Sequence, residues 1–478
     1  MKNAQGYIDS LRHLNKKVYY FGERIENWVD SPLIRPHINA VAMTYELAHD
    51  PQYEDLMTAS SHLTGERINR FTHMAQGPED MVKKSRMERL MGQKTATCFQ
   101  RCAGWDALGV VYMLTAEIDQ AKGTGYHERA REFIRHVQRE DLQCAAGMTD
   151  PKGDRSLPPS RQADPDLFMR IVDQRSDGLV VRGAKAHQTG GVNAHELVVV
   201  PTTALGEADR DYAVAFAIPA DSAGLTYIFG RQSNDTRRLE PGEIDRGNAT
   251  FGSVGGESLI IFNDVFVPWE RVFMCREYEF AGPLVERFAC IHRQTYACKT
   301  GVGDVLIGAT ALMADYLGLS KVSHIRDKIG EMVHMNETVY SCSVAAGLES
   351  YRTVSGAYAP SNLLAHTVKL NLTRFSYEMA RLAHDIAGGI IATMPSEQDL
   401  RHPELGPIIA KYLQGACGVG TEEKARLLRL IEAMTGTTTL AEYMHGAGPP
   451  QAQKVMLLRQ ANLEHKKRLA KEIAGIKT

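Results

Sequence analysis

The chain has 478 residues, of which 44% are hydrophobic and 23% charged, with a formal net charge of -2. That is the balance of a soluble globular protein large enough for about two or three domains. No field of one sign invites nucleic acid or an anionic membrane surface, and no apolar run reaches the length that spans a bilayer.

The start, "MKNAQGYIDSLRHLNKK", is polar and lacks the apolar core of a secretion signal. The expectation is a cytoplasmic protein, without a nucleic-acid or membrane partner, whose eight cysteines stay reduced and act as ligands or reactive groups. Residues 1–143 carry helical periodicity in "INAVAMTYELAHD", "ALGVVYMLTAEIDQAKG" and "YHERAREFIRHVQRED", which predicts an N-terminal α-helical domain. Inside it "CFQRC" sets Cys98 and Cys102 four positions apart. If that stretch is helical, both thiols leave one face, and core packing as small hydrophobes explains the pair about as well as a ligand site does.

From 144 to 275 the pattern changes to short runs such as "LVVRG", "HELVVVP", "YAVAFAIPA" and "SLIIFNDVFVP" between Gly, Asp and Pro, predicting a β domain, a small barrel or a sandwich. Its polar segment 147–167, "GMTDPKGDRSLPPSRQADPDL", could offer backbone N–H groups to a phosphate or a ring edge, with an ordinary surface crossover as the plainer reading. "AKAHQTGG" ends a predicted strand in Thr189 and two glycines that would let a flat ligand approach the backbone. No GxGxxG follows a strand, so the sequence gives no support to a Rossmann dinucleotide site. Residues 276–478 return to long helical segments, a C-terminal helical bundle. It opens with "ERFACIHRQTYACKTGVGDV", where Cys290, His292, Tyr296 and Cys298 crowd together. Were His292 and Cys298 to join Cys98 and Cys102, three thiolates and an imidazole would suit zinc or an iron–sulfur cluster. Spacing alone does not separate metal from packing.

The segments "KVYYFGERIE", "AMTYELAHDP", "MTDPKGDRSLPPS", "RGAKAHQTG", "DVFVPWERVFM", "HRQTYACK", "DIAGG" and "MHGAG" together resemble the 4-hydroxybutyryl-CoA dehydratases over nearly the whole chain. The resemblance implies an α+β multidomain, acyl-CoA dehydrogenase-like fold shared with the flavin-dependent 4-hydroxyphenylacetate 3-monooxygenases: helical 1–143, a middle β-barrel 144–275, and a helical bundle 276–478. It implies a homotetramer with FAD and a [4Fe-4S] cluster, which dehydrates the acyl-CoA thioester 4-hydroxybutyryl-CoA to crotonyl-CoA by a radical route and isomerises vinylacetyl-CoA.

Carried over by motif, the cluster ligands fall on Cys98, Cys102, His292 and Cys298. Thr189 matches the hydroxyl facing flavin N5. Arg89, Gln100, Met148, Asp150, Lys152 and Arg155 would serve the cofactor, as would Gly388 and Gly389 across a subunit boundary. Tyr296, Glu442, Glu257 and Lys299 would line the substrate site, with His292 on the iron that faces it. One residue separates Tyr296 from Cys298 where the family pattern has two, "MTGTTTLA" before Glu442 is also shortened, and Cys290 is an additional thiol.

Such chemistry needs both cofactors. The C–H bond at carbon 3 is not activated by the thioester carbonyl, so an electron reservoir must first make it acidic, and the leaving hydroxyl needs a Lewis acid. Two other readings stay open at this point: a flavin monooxygenase acting on a phenol with no cluster, and a non-enzymatic scaffold in which the same four side chains hold a structural zinc.

Overall fold

The computed structural model describes residues 1–232 and 235–476. The first segment is largely helical: α1 (Ala4–Arg12), α2 (Arg35–Glu46), the one-turn α3 (Glu54–Met57), α4 (Pro78–Thr95), α5 (Arg101–Lys122) and α6 (Tyr126–Arg139). Proline at the first position of α4 and Glu79 and Asp80 in its first turn suit a helix N-terminus. It stops where Ala96 turns left-handed (φ 52°). In α5, "RCAGWDALGVVYMLTAEIDQAK" is buried on every face for most of its length, the pattern of a helix at the centre of a domain.

This segment is not purely helical. Strands β1 (Val18–Tyr20) and β2 (Glu23–Arg24) leave it to join the sheet built by the middle of the chain, and β3 (Thr58–Ser60) pairs with β4 (Arg67–Asn69) as a small hairpin.

The middle segment contributes β5 (Cys144–Gly147), β6 (Arg170–Gln174), β7 (Gly178–Thr189), β8 (Glu196–Val199), β9 (Val214–Pro219), β10 (Leu225–Phe229), β11 (Glu257–Pro268) and β12 (Val272–Cys275). They form two open sheets, β2-β1-β10-β11-β7-β6 and β12-β9-β8-β5, and the expected β-barrel is corrected on this point. The second sheet is instead covered by helices, α5 packing on β5, β8 and β12 and α6 on β12. Apolar side chains fill the space between the sheets, with Phe216 of β9 edge-on to Phe262 of β11 at 6.4 Å. The register of β7 with β11 sets Thr189 directly opposite Glu257 at the end of the pair.

The last segment holds α7 (Ala281–Thr295), α8 (Cys298–Tyr316), α9 (Ser323–Leu348), α10 (Asn362–Ala387), the short α11 (Ile390–Thr393) and α12 (Glu397–Arg401), then α13 (Leu405–Leu413), α14 (Thr421–Thr435) and α15 (Thr437–His445). Residues 278–316 are long and apolar enough to cross a membrane by composition, but 67% of the most apolar window is buried inside the protein, and the helix breaks at Tyr296 and Ala297.

Helices α4 and α8 cross with backbones in contact. A Cβ on Gly92 would stand 2.1 Å from the Cys298 carbonyl oxygen, and one on Gly301 would stand 1.9 Å from that of Arg89. Only hydrogen fits at either place. Two substitutions in α8 check this reading. G301A must push the helices apart and should lose about 1–3 kcal/mol or more in urea unfolding. G308A, where nothing lies within 4 Å, should gain up to about 1 kcal/mol from helix propensity.

Candidate active site

"CFQRC" is not one turn of helix. Gln100 sits left-handed (φ 67°) at the N-cap, and α5 begins at Arg101, so Cys98 belongs to the turn before the helix and Cys102 to its first turn. The two thiols still lie within hydrogen-bonding reach of each other. Arg101 fixes the corner. Its guanidinium lies 4.0 Å over the Tyr45 ring and bonds to Asp141 at 2.8 Å, all of it buried. Cys298 is the first residue of α8. Two helix N-termini therefore converge on three buried thiols, and their unpaired N–H groups favour negative charge there.

His292, in the last turn of α7, is held by Asp106. The Nδ1–Oδ2 distance is 2.8 Å, and the Thr295 hydroxyl donates to the same oxygen at 3.0 Å. The buried Lys84 ammonium takes the other oxygen. Burial alone would raise the Asp106 carboxyl, but Lys84 and His292 outweigh it and hold it below its usual value. Because Asp106 lies one turn beyond Cys102 on α5, the bond brings His292 to the thiol side of that helix. With Nδ1 engaged, the Nε2 lone pair is left for another partner. Among the described residues no group of three His, Cys, Asp or Glu side chains stands ready around a single ion. The donor chemistry nevertheless fits a soft cluster: three buried thiols, two of them hydrogen-bonded to each other, plus an oriented imidazole.

Opposite the thiols lies the end of the β7/β11 pair. The Thr189 hydroxyl reaches both Glu257 carboxyl oxygens at 2.8 and 2.9 Å. A Cβ on the intervening Gly255 would stand 3.0 Å from Glu257 and 3.4 Å from Cys98 Sγ, so this glycine keeps open the space between sheet and thiol. Burial first, then Cys98 and Glu442, push the Glu257 carboxyl up to about 8. Gln100 backs this corner, donating to the His37 carbonyl at 2.9 Å and accepting from Asn193 at 2.7 Å.

The bundle closes the third side. Lys299 Nζ is 2.9 Å from Glu442 of α15 and 4.6 Å from the centre of the Tyr443 ring. Burial disfavours its ammonium, but Glu442 and Cys98 outweigh burial and hold it charged. The His292 and Tyr296 rings meet edge-on at 5.4 Å, and a Cβ on Gly446 would stand 2.0 Å from the Tyr296 oxygen, so the turn after α15 needs glycine there. A mostly apolar pocket between these helices is lined by Met335, Met379, Lys299 and Tyr443.

Other residues singled out from the sequence lie elsewhere. Arg89 points to Asp304 at 2.8 Å and to Glu337. Asp150 is buried against Lys185 at 2.9 Å, pinning the loop of Met148 to β7. Lys152 and Arg155 sit near each other further along that loop, with no carboxylate at ion-pair distance among the described residues, two cations fit for a diphosphate. Gly388 and Gly389 end α10, with nothing within 4 Å of a Cβ on either. Cys290 faces His366 at 3.7 Å, and His366 also meets Arg293 at 2.7 Å.

Several site groups escaped the sequence reading: Asp106, Glu88, and Lys369, whose ammonium lies 3.9 Å over the Tyr296 ring. The lone lysine in the apolar run "NLLAHTVKLNL" was the available signal for the last.

The chain belongs to the 4-hydroxyphenylacetate 3-hydroxylase family, matching its N-terminal model over residues 3–274 and its C-terminal model over residues 281–475. Within it, the chain is 55% identical to the 4-hydroxybutyryl-CoA dehydratase/vinylacetyl-CoA-Δ-isomerase of Clostridium aminobutyricum, with 100% of both chains covered. The structure of an oxygen-tolerant archaeal 4-hydroxybutyryl-CoA dehydratase from N. maritimus superimposes with a TM-score of 0.98 at 54% identity, covering 100% of this chain and 95% of that one. The oxygenase component of a 4-hydroxyphenylacetate 3-monooxygenase, complexed with FAD, superimposes with a TM-score of 0.87 at 25% identity, covering 99% and 98%.

Two measurements on the unloaded protein check these electrostatics. D106N removes the charge that compensates buried Lys84 and should cost about 3–5 kcal/mol in urea unfolding. Glu257 contributes stability as an acid that is fully present below its ordinary value of 4.5 and is lost as pH rises through about 8. The melting temperature of E257Q relative to wild type should therefore climb across that window, and a flat difference would contradict the assignment.

Proposed function

We propose that the protein dehydrates 4-hydroxybutyryl-CoA to crotonyl-CoA and isomerises vinylacetyl-CoA, using FAD and a [4Fe-4S] cluster. The observation that carries this reading is the convergence of three buried thiols at two helix N-termini, facing the Thr189–Glu257 pair across the space that Gly255 keeps open. The 55% likeness to the Clostridium aminobutyricum dehydratase/isomerase supports the substrate class.

In this reading Cys98, Cys102, Cys298 and His292 Nε2 hold the cluster, and Asp106 orients the imidazole. FAD would lie against the end of β7, with Thr189 turning from Glu257 to the flavin and Lys152 and Arg155 taking the diphosphate. Bound, FAD would supply a one-electron acceptor. The cluster would supply an electrophilic iron for the leaving hydroxyl.

The acyl chain would lie between the thiols and the bundle. Lys299 holds Glu442 in place, so that carboxylate would be the proton acceptor, while burial keeps the proton on the Tyr296 phenol, which would act as a hydrogen-bond donor beside it. Glu257, kept neutral by burial near pH 7, would shuttle a proton without adding charge beside the thiols.

The protein would assemble as a homotetramer. The exposed Leu405, Ile408 and Tyr412 on α13 and the open glycine pair ending α10 support a neighbouring subunit there.

Anaerobic reconstitution with iron, sulfide and FAD tests the reading. The loaded protein should form crotonyl-CoA from both 4-hydroxybutyryl-CoA and vinylacetyl-CoA, and C298S should lose most of its iron along with both activities. Protein that takes up zinc but no iron, or that keeps full activity as C298S, would overturn it.

A further inference from the structure

Glu88 lies in the middle of α4 with no exposed surface, and neither of its carboxyl oxygens has a hydrogen-bond partner. An unpaired buried carboxyl costs stability, so a position needed only for packing would be better filled by leucine or methionine.

Its place on the helix says what it faces. Lys84, Glu88 and Gly92 follow at four-residue intervals and so share one face of α4. Lys84 meets Asp106 of α5, while Gly92 touches the Cys298 backbone at the start of α8. Ser85, almost one turn before Glu88, bonds to Gln294 of α7, while Gly92, one turn after it, touches the start of α8, so Glu88 lies between them at the break where Cys298 stands. Lys84 and Asp106 neutralise each other, and Lys299 is committed to Glu442. What remains for Glu88 is the thiol group of Cys98, Cys102 and Cys298. With no exposed surface and no hydrogen bond to either oxygen, a charge on this carboxyl would go uncompensated, so the neutral acid is the form that fits there.

We infer that Glu88 is a positioning residue for the cluster, its carboxyl O–H donating to a sulfur on the Cys102 side. The inference rests on the cluster reading above. A hydrogen bond to a cluster sulfur spreads negative charge and raises the reduction potential, so Glu88 would favour the reduced state without touching substrate.

The test compares wild type, E88Q and E88M. It reads the melting temperature of unloaded protein, iron and sulfide per chain after anaerobic reconstitution, and the potential by spectroelectrochemical titration. Unloaded E88M should melt at or above wild type, since an unpaired polar group has gone. Once reconstituted it should keep less than half the wild-type iron, or hold its cluster at a more negative potential, while E88Q, which still donates, stays near wild type in both. E88M with wild-type iron content and potential, E88Q indistinguishable from a defective E88M, or unloaded E88M melting well below wild type would each overturn the inference alone. Wild type that takes up no iron would overturn the cluster reading and this inference with it.

Discussion

The contact between the backbones of α4 and α8, allowed by Gly92 and Gly301, is the constraint on which the site depends. It brings the first residue of α8, Cys298, against the helix that precedes the "CFQRC" turn. Two helix N-termini from distant parts of the chain thereby come to one point. Any side chain at either glycine would separate the segment carrying Cys98 and Cys102 from the segment carrying His292, Tyr296, Cys298 and Lys299. The sheets add the opposite wall through one register: Thr189 across from Glu257. The rest of the protein holds these three walls at fixed distances.

That geometry concentrates ionisable groups where water is scarce, and their pairings differ in kind. Lys84 with Asp106, and Lys299 with Glu442, are compensated pairs that anchor elements to one another. Glu257 and Glu88 are carboxyls that burial pushes up, and the thiols of Cys102 and Cys298 are likewise pushed up, Cys102 by its hydrogen bond with Cys98 and by burial, Cys298 by burial against the pull of Lys299. A soft metal centre would reverse that balance for the thiols, because thiolates are its natural ligands. Gathering these groups is thus costly for folding alone and sensible for binding.

Much of this was legible in the sequence, for physical reasons. Short β-branched runs such as "HELVVVP" marked strands, here one buried at every position, and "ALGVVYMLTAEIDQAKG" marked a buried helix. The expected barrel fails because patterning along strands carries no information on whether edges meet; here the strands end as two separate open sheets. The four-residue spacing in "CFQRC" reads as a helical turn, yet a left-handed Gln100 gathers the same thiols from a helix start. Asp150 and Arg89 look free in sequence, and each is taken by a partner that the fold alone supplies, Lys185 and Asp304. Glu88 was invisible because a glutamate in a helix is ordinarily solvated, and only the crossing of α4 with its neighbours buries it.

The account stands on iron bound by three thiolates and one imidazole, and X-ray absorption at the iron edge of the anaerobically reconstituted protein tests this most directly. It predicts sulfur scatterers together with a single light-atom ligand, and loss of that light atom with retention of iron in H292C. An all-sulfur shell already present in wild type, or protein showing a zinc edge and no iron edge, would contradict it.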